Sequence, residues 1–297
     1  MTRFQYIEST GKYRENFDKS FAVLSPFANH TQISKLKKEL QLSGEMFNEV
    51  VYLQHACETT ICASLAYMFP VGFRYEPEIA PPKNVDCGFY IDSLEVLIEV
   101  KCADYTCKHK LDGSDGVKIS CAGRLSSLSM VDELAHVLKK LGKVYTHKNF
   151  DNKLKDNLCS LQVKSDGSRI DQLNVLIVCC DDGLDINKYC LSLFGNKGLF
   201  TQSSFVSNSE YNHVDAVILC DLYYRHKNYW TKPEVTNPWD FSESYTLVCE
   251  NPFRKYRKYH SLRKLNMIFG NNARDVNDLL QLGVLEQVTN HYKKSGI

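Results

Sequence analysis

The chain has 297 residues, of which 43% are hydrophobic and 24% are charged, and its formal net charge is +1. This composition is ordinary for a soluble globular protein with a sizeable core. The near-zero charge gives no overall argument for a nucleic-acid partner, so only local basic clusters can supply one. No apolar run reaches the roughly 18 residues needed to span a bilayer, and the N-terminus lacks an apolar signal core. We therefore expect a cytoplasmic protein without membrane contact.

Twelve cysteines are scattered along the chain without a C-x-x-C pair, and many of them lie in apolar runs. We interpret them as buried, reduced thiols, because free cysteine packs as a small hydrophobe. Cys102, Cys107, His109 and Cys121 could in principle bind zinc, but their spacing fits no standard zinc finger. The cysteines thus predict neither a disulfide framework nor a zinc module.

The first part of the chain, 1–42, is interpreted as an N-terminal extension packed on the core. A long helix is predicted over 43–68, because apolar residues recur there with a 3.6-residue period. The residues on this stripe are Met46, Val50, Cys57, Ile61, Leu65 and Met68. We expect Ser43 to cap the helix and Pro70 to end it. A strand over 72–80 follows.

A β-hairpin is predicted over 85–102, because β-branched, aromatic and other apolar residues dominate on both sides of a short turn. The turn lies at Asp92 and Ser93. If pairing proceeds away from this turn by one residue at a time on each strand, Asp86 is paired with Glu99. Directly opposed side chains of an antiparallel pair lie about 4.5–5.5 Å apart at Cβ. The register therefore predicts two carboxylates in contact.

Two opposed carboxylates repel each other, so at least one is protonated unless a cation joins them. A hard divalent cation bound by oxygen ligands removes this conflict. Asp86 and Glu99, with a strand carbonyl such as that of Val100, would bind Mg²⁺ or Mn²⁺. Lys101 shares the strand face of Glu99. Its amine could activate or position a water, or stabilise charge on a phosphate.

This sequence pattern resembles the motif of the PD-(D/E)XK nuclease superfamily. It consists of an Asp, a gap of twelve residues and then Glu-Val-Lys on an apolar strand. That superfamily includes restriction enzymes, Holliday-junction resolvases and phage-defence nucleases. Asp86, Glu99 and Lys101 match its Asp, Glu and Lys, whereas Val85 stands where the motif usually has proline. An ordinary hairpin with an ion-paired exposed face is the alternative, since short motifs also occur by chance.

The resemblance implies a restriction-endonuclease-like core and one further carboxylate on the helix before the hairpin. Glu58 matches that position, and Glu49 is the alternative. At 100° per residue these two flank opposite edges of the apolar stripe, so only one can lean towards the hairpin.

The activity implied is a Mg²⁺-dependent endonuclease that hydrolyses phosphodiester bonds, with DNA as the expected substrate, in restriction or anti-phage defence. A catalytically idle module that binds nucleic acid or a protein partner is the alternative. A helicase or ATPase could be such a partner, and cutting both strands would favour a homodimer.

Further along, a helix is predicted over 125–141, a buried strand over 173–180, a helix near 186–194 and another buried strand over 214–220. With the hairpin these elements have the order αβββαβαβ. We therefore predict an α/β protein with a central mixed sheet flanked by helices, whose nuclease-like core spans 43–222.

Two other sets of polar residues lie next to predicted strands. The loop 104–123 follows the candidate site and could touch substrate, although a solvated loop is the simpler interpretation. Its basic candidates are Lys108, His109 and Lys110. A second acidic site is conceivable at the strand ends, although polar residues that simply end a buried strand explain this pattern better. These residues are Asp181, Asp182 and Asp221.

The segment 223–297 is aromatic and basic, and we expect it to pack on the core as a C-terminal extension. Basic side chains in 251–266 alternate with aromatic ones, which would suit phosphates and stacked bases. The predicted nucleic-acid-binding residues are Arg254, Lys255, Arg257 and Lys258. A solvated helix face explains the charges equally well. The last predicted element is an amphipathic helix over 276–292.

Overall fold

The structure is a computed structural model that describes residues 4–43, 46–112, 117–120, 129–147, 150–165 and 169–270. Its α-helices are α1 (Lys12–Leu24), α2 (His30–Glu39), α3 (Glu49–Met68), α4 (Thr106–Asp112), α5 (Ser129–Leu138), α6 (Asp151–Lys164), α7 (Gly183–Phe194), α8 (Leu222–Asn228) and α9 (Tyr259–Phe269). Its strands are β1 (Arg74–Tyr75), β2 (Glu78–Ala80), β3 (Lys83–Asn84), β4 (Cys87–Ile91), β5 (Leu94–Cys102), β6 (Val117–Ser120), β7 (Val144–His147), β8 (Gln172–Cys179), β9 (Ala216–Cys220) and β10 (Thr246–Glu250).

Six strands form a central mixed sheet in the order β1-β4-β5-β8-β9-β10. β1, β4 and β5 pair antiparallel, β5, β8 and β9 pair parallel, and β10 runs antiparallel to β9 at the edge. Two small sheets, β2-β3 and β6-β7, lie outside it. The predicted α/β class with a mixed sheet between helices is confirmed. In the part of the chain that the structure describes, no helix is long and apolar enough to cross a membrane.

The central sheet separates two apolar cores, because neighbouring residues of a strand point to opposite faces. Val96 and Ile98 of β5 contribute to the core that lies against α1, α2 and α3. Leu97, between them in sequence, contributes to the core against α6 and α7. Strands β8 and β9 are buried throughout. Burial on both faces explains why their sequences read as continuous apolar runs.

The hairpin has the predicted register. Gly88 pairs with Leu97, and Tyr90 pairs with Glu95 across the turn. Asp92 adopts a left-handed φ of 57° in that turn, a conformation that Asp and Asn tolerate better than most residues. The last recorded pair of the ladder is Cys87–Ile98. Asp86 is the residue immediately before β4.

Helix α3 begins later than predicted. Asn48, rather than Ser43, caps it, because the Asn48 side chain accepts hydrogen bonds from the N–H groups of Val50 and Val51. Met46, which was assigned to the apolar stripe, precedes the helix and is 89% exposed. The helix ends just before Pro70, as expected.

The helix that covers the sheet between β5 and β8 is α6, which was not predicted. Its residues Leu154, Leu158 and Leu161 are fully buried and repeat at the i, i+4, i+7 spacing of one helix face. The helix predicted over 125–141 is the shorter α5. The described part of the loop 104–123 contains α4 and β6.

Other boundaries also differ from the prediction. The strand expected over 72–80 is split into β1 and β2, which belong to different sheets. The segment after residue 222 contributes the edge strand β10 to the central sheet, so it does more than pack on the core. The helix predicted over 276–292 lies outside the described residues.

Candidate functional site

Asp86 and Glu99 lie near the open end of the hairpin, close enough for their charges to interact. The backbone N–H of Asp86 donates to the carbonyl of Ile98 (3.1 Å). Ile98 is already paired with Cys87, so the regular pairing ends there and does not include Asp86 and Glu99. The Asp86 carboxylate Oδ2 accepts the backbone N–H of Val100 at 2.6 Å. The Asp86 side chain is thereby fixed across the β5 backbone. Val100, whose carbonyl is the predicted metal ligand, thus also positions Asp86.

The Glu99 carboxylate is completely buried. Its Oε1 lies 2.5 Å from the Lys101 Nζ and 2.6 Å from the Nζ of Lys164, at the end of α6. Within the described residues, Oε2 of Glu99 is buried without a hydrogen-bond partner. Because an unpartnered buried carboxylate oxygen is unfavourable, Oε2 is suited to accept a hydrogen bond or to bind a cation.

Burial raises the pKa of Asp86 well above its usual value, and the charges of Glu58 and Glu99 raise it further. Lys101 and the Val100 N–H act in the opposite direction but do not cancel this effect. Asp86 is therefore a carboxylate whose negative charge is poorly compensated by its surroundings. Such strongly perturbed carboxylates are typical of functional sites.

Glu58 projects from α3 towards this region. Its Oε2 lies 3.6 Å from Nδ1 of His55, whose other acidic neighbour is Glu39 at 3.8 Å. Burial opposes protonation of His55, but both carboxylates together raise its pKa. The alternative candidate, Glu49, instead accepts a hydrogen bond from the hydroxyl of Tyr6 at 2.8 Å. Of the two glutamates, Glu58 is the one whose charge reaches Asp86.

Lys101 is charged in this arrangement. Burial alone would lower its pKa, but Asp86, Glu99 and Glu58 raise the pKa above the usual lysine value. Lys164, the second cation on Glu99, was missed by the sequence reasoning because the whole of α6 was missed. The leucine repeat of α6 was the available signal, since it places Lys164 three residues beyond Leu161.

The predicted nucleic-acid-binding residues are not all accessible. Lys258 is buried, and its Nζ lies 3.0 Å from Asp215 and donates to the carbonyl of Gln172 at 2.6 Å. It therefore serves as an internal ion pair and does not fit the prediction. Helix α9 begins only at Tyr259, so no helix displays the basic residues before it.

Arg254, Lys255 and Arg257 differ from one another in exposure. Arg254 is half-buried and donates to the carbonyl of Asn251 at 2.8 Å. Lys255 and Arg257 are exposed and remain available to a partner.

The basic segment and the carboxylates lie at opposite ends of the parallel strands. The partners of Lys258 stand at the beginnings of β8 and β9, whereas Glu99 and Lys101 stand near the end of β5. Two to six residues of strand separate these levels, which corresponds to about 7–20 Å. Lys258 is therefore held away from the end of β5 that carries Glu99 and Lys101.

Three aspartates converge after β8, where a second acidic site was considered. Their nearest oxygens lie at 3.1, 2.5 and 2.6 Å from the buried Lys108 Nζ, in the order Asp181, Asp182, Asp185. Asp221 is not among them, because it accepts the backbone N–H of Tyr245 at 2.9 Å. A lysine ammonium thus occupies the position that a metal ion would take.

The other predicted loop residues divide between this cluster and the solvent. His109 Nε2 lies 2.8 Å from Asp181, and Lys227 also contacts Asp181 at 2.9 Å. Burial opposes ionisation of Asp181, but the hydrogen bonds of His109 and Lys227 and the charges of Lys108 and Lys227 lower its pKa below the usual value. Lys110 is exposed. Lys108 and His109 are therefore structural, and only Lys110 is free to contact a substrate.

The residues considered for zinc are separated in the structure. Cys107 is exposed and His109 faces Asp181, whereas the Cys102 sulfur lies near those of Cys57 and Cys179. Cys121 lies outside the described residues.

A cavity of about 410 Å³ opens on the α3 side of the sheet, between α1, α3 and the segment 237–246. Its wall includes Tyr67, Trp239 and Phe241, and none of the predicted site residues lines it.

The chain matches no protein-family model, no curated protein and no solved structure. The geometry of its own side chains is therefore what indicates a function.

Proposed function

We propose that this protein is a metal-dependent endonuclease that hydrolyses phosphodiester bonds, with DNA as its substrate. The site comprises Asp86, Glu99 and Lys101, with Glu58 as an additional carboxylate. The observation that carries this proposal is that the charges of Asp86 and Glu99 interact and that Glu99 Oε2 is buried and unpartnered among the described residues. Unrelated folds can carry such sites, so the residues and not the fold are the basis of the proposal.

The order of elements gives additional support. Helix α3, strand β1, the hairpin β4-β5, helix α6 and strand β8 occur in this order along the chain, with β2-β3 inserted before the hairpin and the elements from α4 to β7 inserted after it. Their strands lie in the order β1-β4-β5-β8. The first three strands are antiparallel and the last pairs parallel to β5. This αβββαβ arrangement is the one expected of a restriction-endonuclease-like core.

The residues fit a hard divalent cation. Asp86, Glu99 and the carbonyl of Val100 would hold Mg²⁺ or Mn²⁺, since all three offer oxygen atoms. The cation would compensate the carboxylate charges that raise the pKa of Asp86. When bound, it would supply Lewis-acid polarisation of the phosphate and a more acidic water.

The side chains around the carboxylates have distinct tasks. The Val100 N–H orients Asp86, and Lys164 orients Glu99 by binding its Oε1. Lys101 can stabilise charge that develops on the phosphate oxygens or hold the attacking water in line. Because its pKa is raised, Lys101 acts as a cation rather than as a proton acceptor.

Cleavage of supercoiled plasmid and of labelled single strands, with Mg²⁺, Mn²⁺ or EDTA, tests the proposal. We expect metal-dependent cleavage that falls by about 100-fold or more in Asp86→Asn, Glu99→Gln and Lys101→Met. Asp92→Asn is the matched control. It makes the same chemical change at the exposed turn of the same hairpin, where Asn tolerates the left-handed φ.

Two results would contradict the nuclease. Equal cleavage by wild type and the three variants would assign the activity to another site or to a contaminant. Calorimetry that detects no binding of Mg²⁺ or Mn²⁺, or binding that is unchanged in Asp86→Asn, would exclude this metal site. Nucleic-acid binding without cleavage, unchanged in all variants, would favour an idle binding module.

A further inference from the structure

Three cysteines from different elements bring their sulfur atoms together in the core. Cys57 of α3, Cys102 of β5 and Cys179 of β8 have Sγ atoms that all lie within 4.8 Å of one another. Cys57 and Cys179 are fully buried, whereas Cys102 is only half-buried. The cluster therefore has one member that is open to solvent.

The parallel register of the sheet explains this arrangement. Cys102 pairs with Cys179, and Cys179 pairs with Cys220, so the last residues of three adjacent strands form one row of thiols. Side chains at paired positions of a sheet point to the same face. Cys57 covers this row from α3, and the sulfurs of Cys179 and Cys220 are 3.7 Å apart.

We propose that Cys57, Cys102 and Cys179 form a three-sulfur binding site for Zn²⁺. Thiolates are soft ligands that select zinc and related ions over Mg²⁺. Tetrahedral Zn–S bonds of about 2.3 Å place neighbouring sulfurs about 3.8 Å apart. The three sulfurs already lie within 4.8 Å of one another, so they need to approach by about 1 Å or less.

Charge also favours a divalent ion at this position. Three thiolates and one Zn²⁺ leave a single negative charge. A monovalent ion would leave two buried negative charges, and burial of uncompensated charge is strongly unfavourable.

This site is independent of the proposed nuclease. Cys102 points to the opposite face of β5 from Glu99 and Lys101, since side chains alternate along a strand. The two sites also differ in ligand chemistry, with sulfur on one face and oxygen on the other. A metal bound by the cysteines should therefore remain bound in Asp86→Asn.

Titration of the reduced, full-length protein with Cd²⁺, a spectroscopic substitute for Zn²⁺, tests the site. We expect a thiolate-to-metal charge-transfer absorption in the ultraviolet that saturates at one equivalent, and competition by Zn²⁺. Cys57→Ala, Cys102→Ala and Cys179→Ala should each weaken binding by at least about 100-fold. The matched control is Cys62→Ala, because Cys62 is an equally buried thiol of the same helix.

Alkylation of the wild-type protein gives a second measurement that needs no variant. Bound Zn²⁺ should protect Cys102 from iodoacetamide, while the exposed Cys107 continues to react. Equal modification of Cys102 with and without Zn²⁺ would overturn the proposal. So would the absence of charge-transfer absorption, or an absorption that Cys62→Ala abolishes and the three ligand variants retain.

Discussion

At Asp86, burial and the nearby charges of Glu58 and Glu99 act in the same direction on the side chain. All of them raise its pKa in the folded protein. The folded state therefore binds a proton more readily than the unfolded state. As the pH rises from the usual pKa of aspartate to the raised pKa in the folded protein, the contribution of Asp86 to stability decreases. The surroundings of Asp86 disfavour its ionised form. Such an environment is more consistent with a functional role than with a contribution to stability.

We accordingly expect Asp86→Asn to stabilise the metal-free protein. The amide removes the charge but keeps an oxygen that can accept from Val100. In EDTA at about pH 8, the free energy of unfolding in urea should rise by about 1 kcal/mol or more. The gain should shrink towards acidic pH, where the wild-type carboxylate is itself protonated. Asp92→Asn, at the exposed turn, should change little, and a destabilised Asp86→Asn at pH 8 would contradict the charge argument.

At the scale of elements, α6 has two roles that come from one helix face. Its leucines cover the sheet face that carries Glu99, and its last residue, Lys164, binds that carboxylate. Packing of the helix and orientation of Glu99 are therefore coupled. Removing the helix from the sheet would release one of the two cations that hold Glu99.

Leu158→Ala tests whether α6 is the covering helix. Leu158 is fully buried in the core between α6 and the sheet, so its truncation should cost about 2–5 kcal/mol of unfolding free energy. Val137→Ala in α5 is the control. Val137 is 60% exposed, so its truncation should stay within about 0.5 kcal/mol. Equal effects of the two substitutions in urea denaturation would argue against this role of α6.

At the scale of the molecule, His226 joins three segments that are far apart in sequence. Its Nδ1 lies 3.0 Å from the hydroxyl of Tyr13 in α1, and its Nε2 lies 3.0 Å from that of Thr60 in α3. The ring is fully buried in α8. Burial, assisted by the charge of Arg225, lowers its pKa to about 3.

This neutral histidine makes the whole fold sensitive to acid. Below about pH 6.5 the unfolded chain protonates His226 but the folded protein does not. Stability should therefore fall with decreasing pH, by up to about 1.4 kcal/mol per unit from this group. His226→Gln should flatten the dependence of unfolding free energy between about pH 4.5 and 6.5. His30→Gln, at an exposed position, should retain the wild-type slope, and an equal slope in both variants would exclude His226 as the cause.

The sequence by itself determined the features that depend on near neighbours. The turn at Asp92 and the alternation of side chains were enough to set the hairpin register from the pair Ile91–Leu94 to the pair Cys87–Ile98. Periodicity and continuous apolar runs were enough for α3, β8 and β9. These features follow from geometry within one hairpin, one helix or one strand, where a few residues fix the outcome.

Only the tertiary structure decided which distant residues meet. Lys164 reaches Glu99, Lys258 is buried against Asp215, and the row of cysteines forms because β5, β8 and β9 align in parallel register. Parallel strands are joined by long crossovers, so no turn residue fixes their register. The physical reason is that such alignment is set by how both faces of the sheet are buried, and that burial exists only once the helices have packed.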